Sequence, residues 1–396
     1  MQITDNGLAR LPMHQFIIDF GRELPKLVAL LKSDTLRKHP RWGNLLPYHL
    51  PTYGDGPSPG HCVRPDIVLT KKGPIICEID FVASGRAHLI ESLRDFPDAR
   101  AVVLKSFALW YEAMHARSVL YGTGSRTSCF KETEIFSEAM RRETSIDIRA
   151  VNLDTVEAWS DTLVDRLSYR SELVSEDRSR QDMRGYRVST AEPYLDSKAI
   201  SVLVHDLDMT DILTNALGKT GLQFWRRVMP LSFFQKMITP ETRQIIWNDP
   251  SDWVIKSTDV ESDTCWGCRG TIMGRKYRAA DIKAYLESGK KLGSKDPGQN
   301  PLVQRCAESI DFRPLWASTI TTGIGLANPA SFGRESDIST TKKATTEVFG
   351  RVGFFLPFTK VQSFVSAAAF GEVVMRQGDP LVHGASDAIA VGVEFV

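Results

Sequence analysis

The stretch that decides the fold is "VRPDIVLTKKGPIICEID", residues 63–80. Two runs of β-branched and apolar residues flank the turn letters "KKGP", a pattern that predicts two strands joined in a β-hairpin. Arg64 and Asp66 precede or begin the first apolar run, and Glu78 and Asp80 end the second. Because alternate residues of a strand share a face, these four ionic side chains are expected on one face of the hairpin.

This face would carry more charge than a buried strand tolerates without a partner. The three carboxylates of Asp66, Glu78 and Asp80 would repel one another unless a cation neutralised them. Hard oxygen ligands of this kind suit Mg²⁺ shared with a substrate phosphate, and the planar fork of Arg64 suits a phosphate or a carboxylate. The pattern is also consistent with a solvated strand face stabilised by a local salt bridge.

Composition narrows the class of protein. The chain has 396 residues, 42% hydrophobic and 24% charged, as in an ordinary globular protein of two or three domains or one composite unit. With 49 basic and 48 acidic residues, its net charge of +1 provides no field that would attract nucleic acid. The N-terminus lacks a signal-peptide pattern, and no apolar run approaches the ~20 residues that cross a bilayer. We therefore predict a cytoplasmic protein with neither a nucleic-acid nor a membrane partner.

Helical and strand patterns alternate along the chain, which predicts a mixed α/β or α+β fold. Residues 16–37 carry apolar side chains at helical spacing, which predicts an N-terminal helix. Residues 99–107, "ARAVVLKSF", are predicted to contain a short buried strand. Residues 169–193 form the most polar stretch and are predicted to be a linker or a surface excursion.

A second candidate site lies in "DWVIKSTDVESDTCWGCRG", residues 252–270. An apolar strand ends at Lys256, and a polar stretch leads to the glycine-flanked letters "GCRG", which contain Gly267, Arg269 and Gly270. A lysine facing a flexible glycine and arginine loop can hold a polyphosphate. It is not a Walker A loop, and an ordinary strand end followed by a loop fits the same letters.

Two later stretches add weaker candidates. In "LVQRCAE", residues 302–308, a predicted edge strand carries Gln304 and could hydrogen-bond a nucleobase, or it could be only a short strand. Near the C-terminus, Arg376, His383 and Asp387 surround a Gly/Pro turn and could be ligands or merely turn and edge residues. No G-x-S-x-G or H-E-x-x-H motif supports nucleophilic or zinc-protease chemistry.

Taken in order, these patterns resemble the ATP-grasp ligases, and more narrowly the circularly permuted branch typified by the synthetase domain of glutathionylspermidine synthase. The R-x-D and E-x-N strands of that branch are matched by "RPD" at 64–66 and "EID" at 78–80, with Asp in place of Asn. Its S-N-K motif is matched by "DSK", ending at Lys198. Its lid and hinge motifs resemble residues 252–270 and 302–308, with Ser257 in place of Pro and Arg305 in place of Glu.

The resemblance implies a role for each candidate residue. ATP would lie between two lobes, with its phosphates on Lys198 and Lys256 and its adenine near Gln304, Arg305 and Cys306. Mg²⁺ would be held by Asp66, Glu78 and Asp80. A glycine-hinged lid would contain Gly267, Arg269 and Gly270. An electrostatic clamp on the acyl phosphate or the acid would be formed by Arg64 and Arg376.

The resemblance also implies a reaction and a division of the chain. A small carboxylic acid or amino acid would attack the γ-phosphorus of ATP, and an amine or peptide would then displace phosphate from the acyl phosphate to form an amide. The segments would be an N-terminal lobe with the metal-binding hairpin (1–175), a helical linker beginning the nucleotide-binding lobe (176–250), the lid and adenine hinge (251–320), and returning C-terminal strands (321–396). The alternative is an inactive ATP-grasp-like protein that binds a nucleotide or a partner. No feature of the sequence indicates an oligomeric state.

Overall fold

The computed structural model describes residues 2–3, 8–82, 84–116, 118–125, 130–156, 162–168, 173, 186–260, 270–288, 301–322, 326–327, 347–378 and 388–396. The strands are β1 (Gln2–Ile3), β2 (Ala9–Leu11), β3 (Gly60–Thr70), β4 (Gly73–Asp80), β5 (Ser118–Thr123), β6 (Asp147–Asn152), β7 (Thr162–Arg166), β8 (Arg187–Ser189), β9 (Ser232–Phe234), β10 (Trp253–Lys256), β11 (Ile272–Met273), β12 (Leu302–Arg305), β13 (Leu326–Ala327), β14 (Val348–Phe354), β15 (Leu356–Thr359), β16 (Phe370–Gln377) and β17 (Ile389–Phe395).

The helices are α1 (His14–Leu31), α2 (Asp34–Arg37), α3 (Trp42–Leu45), α4 (Arg86–Ser92), α5 (Pro97–Ala113), α6 (Phe130–Glu143), α7 (Ile200–Leu203), α8 (Thr210–Val228), α9 (Pro240–Asn248), α10 (Ala279–Ser288) and α11 (Arg313–Thr322). Short 3₁₀ helices, among them Pro193–Asp196, connect several of these elements. Among the described helices, none is long and apolar enough to cross a membrane.

Three sheets organise the described part of the chain. A nine-stranded sheet has the order β1-β2-β17-β16-β14-β3-β15, with β4 paired to β3 and β13 paired to β17. It therefore joins the first strands of the chain to the last ones. A four-stranded antiparallel sheet has the order β11-β10-β12-β9, and a four-stranded parallel sheet has the order β6-β5-β7-β8. The predicted mixed α/β fold is confirmed, whereas the predicted segment boundaries stay a prediction.

The predicted N-terminal helix forms, but it ends at Leu31 and not at residue 37, because Ser33 caps the separate helix α2. In α1 the buried residues Ile17, Phe20, Leu24, Leu27 and Leu31 recur every three or four positions, the spacing that places side chains on one helical face. This face packs into the main core, where Phe20 meets the rings of Trp225 from α8 and Phe354 from β14 at centroid distances of 5.7 Å.

Two predictions about secondary structure are wrong. Residues 99–107 belong to α5, not to a strand: Pro97 starts the helix, and buried Val103, Phe107 and Tyr111 follow at four-residue spacing, so helical burial outweighs the β preference of two adjacent valines. Strand β12 is not an edge, because β10 and β9 pair with its two sides.

Candidate functional site

The β3–β4 hairpin forms as predicted and sets the register of the site. Arg64 lies opposite Asp80, and Asp66 lies opposite Glu78, with an irregularity in the ladder just after Asp66. Directly opposed residues project from the same face of a sheet. The four ionic side chains therefore share one face, in two cross-strand pairs.

Strands β14 and β16 extend this charged face with two residues that the sequence analysis did not single out. Arg351 on β14 donates from Nη1 to Asp66 Oδ2 over 2.5 Å. Glu372 on β16 lies opposite Gly353 of β14. A Cβ at Gly353 would lie 3.4 Å from Cδ of Arg64, so the Arg64 stem passes over Gly353 at ordinary contact distance.

Arg64 is the most heavily contacted cation of the face. It is 7% exposed and donates from Nε to Asp66 Oδ1 over 3.3 Å and from Nη2 to Asp80 Oδ2 over 3.4 Å. Its Nη1 donates to the backbone carbonyl of Ser84. Burial works against its charge, but the carboxylates of Asp66 and Asp80 raise the pKa of Arg64, so the guanidinium is permanently charged.

The carboxylates of the face differ in how well they are compensated. Burial would raise the pKa of Asp66, but Arg351 and Arg64 hold it below its usual value. Burial raises the pKa of Asp80 to about 6, because Arg64 only partly offsets it and Glu78 and Asp66 add repulsion. Glu372 is 1% exposed, its pKa is raised by burial, and neither of its oxygens has a hydrogen-bond partner.

Two lysines from other parts of the chain reach the hairpin. Lys198 lies just before α7, and its Nζ is 2.9 Å from Glu78 Oε1. Lys256 ends β10 and is 9% exposed; its Nζ donates to the Cys77 carbonyl over 2.9 Å. Through this hydrogen bond, Lys256 of the four-stranded antiparallel sheet contacts the β3–β4 hairpin of the nine-stranded sheet.

Between these two sheets lies a cavity of about 520 Å³. Its wall carries five cations: Lys71, Lys256, Arg275, Arg305 and Arg351. Apolar side chains from both sheets also line the cavity: Val68, Val254, Met273 and Phe349. A narrower space beneath it reaches Glu78, Lys198 and Gln304. The cavity is also lined by acidic residues, namely Asp66, Glu78, Asp252, Glu308 and Glu347. It therefore offers cationic, acidic and apolar groups to a ligand.

The structure brings several of the predicted site residues to this cavity. Six of them line it: Asp66, Glu78, Lys256, Gln304, Arg305 and Cys306. Lys198 lines the narrower space beneath. Gly270 accepts a hydrogen bond from Ser257 N–H over 3.2 Å, so it closes the base of the loop that follows β10. Gly267, Arg269, His383 and Asp387 lie outside the described residues.

Arg376 is not at the cavity. It lies on β16 opposite Phe349 and is half-buried, and the arginine that lines the wall is Arg351 instead. The predicted role of Arg376 in a clamp stays a prediction.

Gln304 lies beside the cavity in a different way from the one predicted. Its side-chain amide donates to Ser232 Oγ over 3.3 Å within the sheet, and Cys306 N–H donates to the Asp252 carbonyl over 2.6 Å. The chain that follows, Ala307, Glu308 and Ser309, lines the cavity outside any helix or strand. The predicted contact of Gln304 with a nucleobase stays a prediction.

The predicted magnesium ligands do not form a ligand set as the structure places them. Among the described residues, no three His, Cys, Asp or Glu side chains are grouped so as to hold a metal ion. Asp66 is paired with Arg351 and Arg64, Asp80 with Arg64, and Glu78 with Lys198. Cationic side chains thus occupy the position that the sequence analysis assigned to a metal.

Comparison with known proteins adds little to this geometry. No protein-family model matches the chain, and no curated protein matches it in sequence. One similar solved structure is that of a candidate gamma-glutamylcysteine synthetase from Methylobacillus flagellatus KT, with a TM-score of 0.44 and 8% identity over 95% of this chain and 85% of that chain. A similarity at this level assigns neither a family nor an activity.

Proposed function

We propose that this protein is an ATP-dependent carboxylate–amine ligase with a circularly permuted ATP-grasp fold, as its motifs suggest. The observation that carries the proposal is the convergence of Lys256, Arg351 and the hairpin carboxylates on one cavity between two sheets. Its volume, about 520 Å³, lies in the range of pockets that bury a ligand of nucleotide size. The substrates would be a small carboxylic acid or amino acid and an amine or peptide.

The cations of the cavity suit transfer of a phosphoryl group. Such transfer depends on positioning and on neutralising the charge of the phosphate oxygens. Lys256 and Lys198 enter from one side, and Arg351 enters from the sheet on the other side. An arginine fork holds a carboxylate or phosphate through two parallel hydrogen bonds, so Arg351 and Arg64 are the candidates to orient the acid and its acyl phosphate.

Magnesium is part of this proposal because of the resemblance to the ATP-grasp ligases. When bound to ATP it would offset phosphate charge, and Asp66, Glu78 and Asp80 remain the residues predicted to hold it. The pairing of all three with cationic side chains also favours a second candidate, a protein that binds a nucleotide without catalysis. Release of ADP in the presence of pooled amino acids and amines would distinguish the ligase from the binding protein.

Substitution of Lys256 tests the proposal directly. Lys256→Ala removes a buried cation from the cavity wall, and a charge-assisted hydrogen bond contributes about 1.5–3 kcal/mol, so a fluorescent ATP analogue should bind roughly 10- to 100-fold more weakly. ADP release should fall with it. Lys72→Ala, which removes an exposed lysine from the hairpin turn, is the control and should bind like wild type. Equal affinity of Lys256→Ala and wild type would contradict the site, and absence of nucleotide binding to wild type would contradict the function.

A further inference from the structure

We propose that the β3–β4 hairpin is the internal counter-ion of an anion site, and that Asp66 and Glu78 weaken anion binding by neutralising its cations. The site would take a phosphate or carboxylate anion at Lys198, Lys256 and Arg351. The inference rests on the proposed function in one respect only, that the cavity binds an anion. It gives Asp66 and Glu78 a role that differs from the predicted magnesium role, with the opposite consequence when they are neutralised.

Three cations from separate parts of the chain contact this one hairpin. Lys198 Nζ lies 2.9 Å from Glu78 Oε1, and Arg351 Nη1 donates to Asp66 Oδ2 over 2.5 Å. Lys256 Nζ donates to a backbone carbonyl of β4 over 2.9 Å. An anionic ligand binds through oxygens that accept from the same N–H groups. Oxygens of the hairpin and of a ligand would therefore compete for these three cations.

The exposure of the two cavity ion pairs distinguishes them from an ion pair of the core. In the core pair of Arg86 and Asp165, each side chain is 2% exposed, so no ligand reaches it. The pair of Lys198 and Glu78 has side chains that are 12% and 26% exposed, and those of the pair at β14 are 17% and 18% exposed. A ligand in the cavity can therefore reach the cations of both cavity pairs.

The spaces between the two sheets bring the three cations into one site. Glu78 and Lys256 line both the cavity of about 520 Å³ and the narrower space beneath it. Lys198 lines the narrower space, and Arg351 lines the cavity. The three cations therefore border neighbouring spaces, where an anion with several oxygens can contact more than one of them.

Electrostatics sets the direction of the expected effect. The hairpin carboxylates offset the charges of Lys198 and Arg351 and also repel an entering anion. In a partly desolvated site these charges act more strongly than in water. Replacing one carboxylate by an amide leaves its partner cation unpaired, which costs stability, and a bound anion restores the pairing. Neutralising the hairpin should therefore destabilise the protein without an anion and strengthen anion binding.

The experiment measures anion affinity in four proteins. Pyrophosphate is titrated into the full chain in EDTA by isothermal titration calorimetry. Glu78→Gln should bind it roughly 10-fold more tightly than wild type, because Lys198 loses its counter-ion. Lys198→Gln should bind it more weakly than wild type. The double variant, which lacks both charges, should return close to wild-type affinity.

Matched measurements separate this effect from the loss of any carboxylate. Glu394→Gln removes an acidic side chain from β17 of the same sheet, where it pairs with Arg10 over 2.6 Å, and should leave pyrophosphate affinity unchanged. In urea unfolding, Glu78→Gln should be less stable than wild type, and pyrophosphate should stabilise it more than it stabilises wild type. If Glu78→Gln does not fold, Glu78→Asp, with a shorter reach to Lys198, should show a smaller gain in affinity in the same direction.

Four results would overturn the inference. One is unchanged or weaker pyrophosphate binding by Glu78→Gln, and another is the absence of pyrophosphate binding to every variant. A double variant that binds as tightly as Glu78→Gln would mean that Lys198 does not hold the anion. Weaker binding of a fluorescent ATP analogue to Glu78→Gln in Mg²⁺ but not in EDTA would make Glu78 a metal ligand. Pyrophosphate binding without binding of the ATP analogue would contradict the proposed function alone, so the two failures are distinguishable.

Discussion

Glu132 shows how burial changes the pKa of a single carboxyl group near the hairpin. Its Oε1 accepts hydrogen bonds from the backbone N–H groups of Gly85, over 2.5 Å, and Arg86, over 2.9 Å. Burial nevertheless raises the pKa of Glu132 to about 7. The carboxyl group at the start of α6 therefore changes charge within the ordinary working range of pH, at the loop that borders Arg64.

A change of stability with pH should follow from this pKa. The folded state holds the Glu132 proton more tightly than the unfolded state, with a pKa of about 7 against 4.5, so its contribution is complete below pH 4.5 and is lost as pH rises to 7. Glu132→Gln keeps an oxygen for both backbone groups but cannot ionise. Relative to wild type it should gain about 3 kcal/mol between pH 4.5 and pH 8.

Urea unfolding of both proteins at several pH values measures this gain. Glu134→Gln is the control, because Glu134 lies two residues further along α6 and is exposed beside Lys131. Its stability relative to wild type should stay nearly constant over the same range. A constant difference for Glu132→Gln as well would show that Glu132 does not titrate as its burial implies.

At the scale of elements, the hairpin β3–β4 could be predicted from the sequence, whereas the pairing of β14 with distant strands could not. The β3–β4 hairpin depends on residues that are neighbours in sequence, and its turn and alternation are visible in residues 63–80. Arg351 reaches Asp66 from 285 positions away, and only the pairing of β14 with β3 and β16 brings it there. No local spacing in "VFGRVGF" marks that arginine as part of the site.

Pairing with strands that are distant in sequence also explains why Glu372 and the position of β12 were not predicted. Glu372 is buried where β16 pairs with β14 on one side and β17 on the other, and the local sequence marks neither pairing. The error at α5 has a different origin, because the short run around Val103 satisfies both helix and strand patterns and only its packing decides between them. Strand β12 was taken for an edge because its partner β9 lies about seventy residues earlier in sequence, at residues 232–234.

An element-scale prediction concerns the contact between two 3₁₀ helices, Gly274–Lys276 after β11 and Pro250–Asp252 before β10. A Cβ at Gly274 would lie 1.8 Å from the carbonyl oxygen of Pro250. Because that oxygen belongs to the backbone, it cannot rotate away, and Gly274→Ala should destabilise the protein by roughly 2–3 kcal/mol. Denaturant unfolding, followed by Trp fluorescence, measures the loss.

Gly21→Ala provides the contrast for this prediction. Gly21 lies within α1, and the nearest atom to its added Cβ would be a side-chain methyl group of Val365 at 3.1 Å rather than a backbone atom. Alanine is the better helix former, so this variant should remain within about 1 kcal/mol of wild type. Similar losses in the two variants would mean that the Pro250 contact does not determine the effect.

At the scale of the whole molecule, Arg166 connects the parallel sheet to the site. It ends β7, is 2% exposed and donates to the Thr190 carbonyl over 2.9 Å and to Asp196 Oδ2 over 2.9 Å. Its guanidinium also lies 4.0 Å from the ring centroid of Tyr53, in the loop before β3. Asp196 precedes Lys198 by two residues. One buried arginine therefore contacts both the loop that leads into β3 and the segment that leads to Lys198.

Arg166→Met should therefore affect both stability and ligand binding. Removing one partner of a buried ion pair costs about 3–5 kcal/mol, and burial already raises the pKa of Asp196 with Arg166 opposing it. We expect that loss in urea unfolding, together with weaker binding of a fluorescent ATP analogue because Lys198 is less well positioned. Arg149→Met, which breaks the exposed pair with Asp147 in the same sheet, should cost no more than about 1 kcal/mol. Restored stability in Arg166→Met combined with Asp196→Asn would confirm that the unpaired carboxylate causes the loss, whereas equal losses in Arg166→Met and Arg149→Met would exclude Arg166 as the connection between the parallel sheet and the cavity.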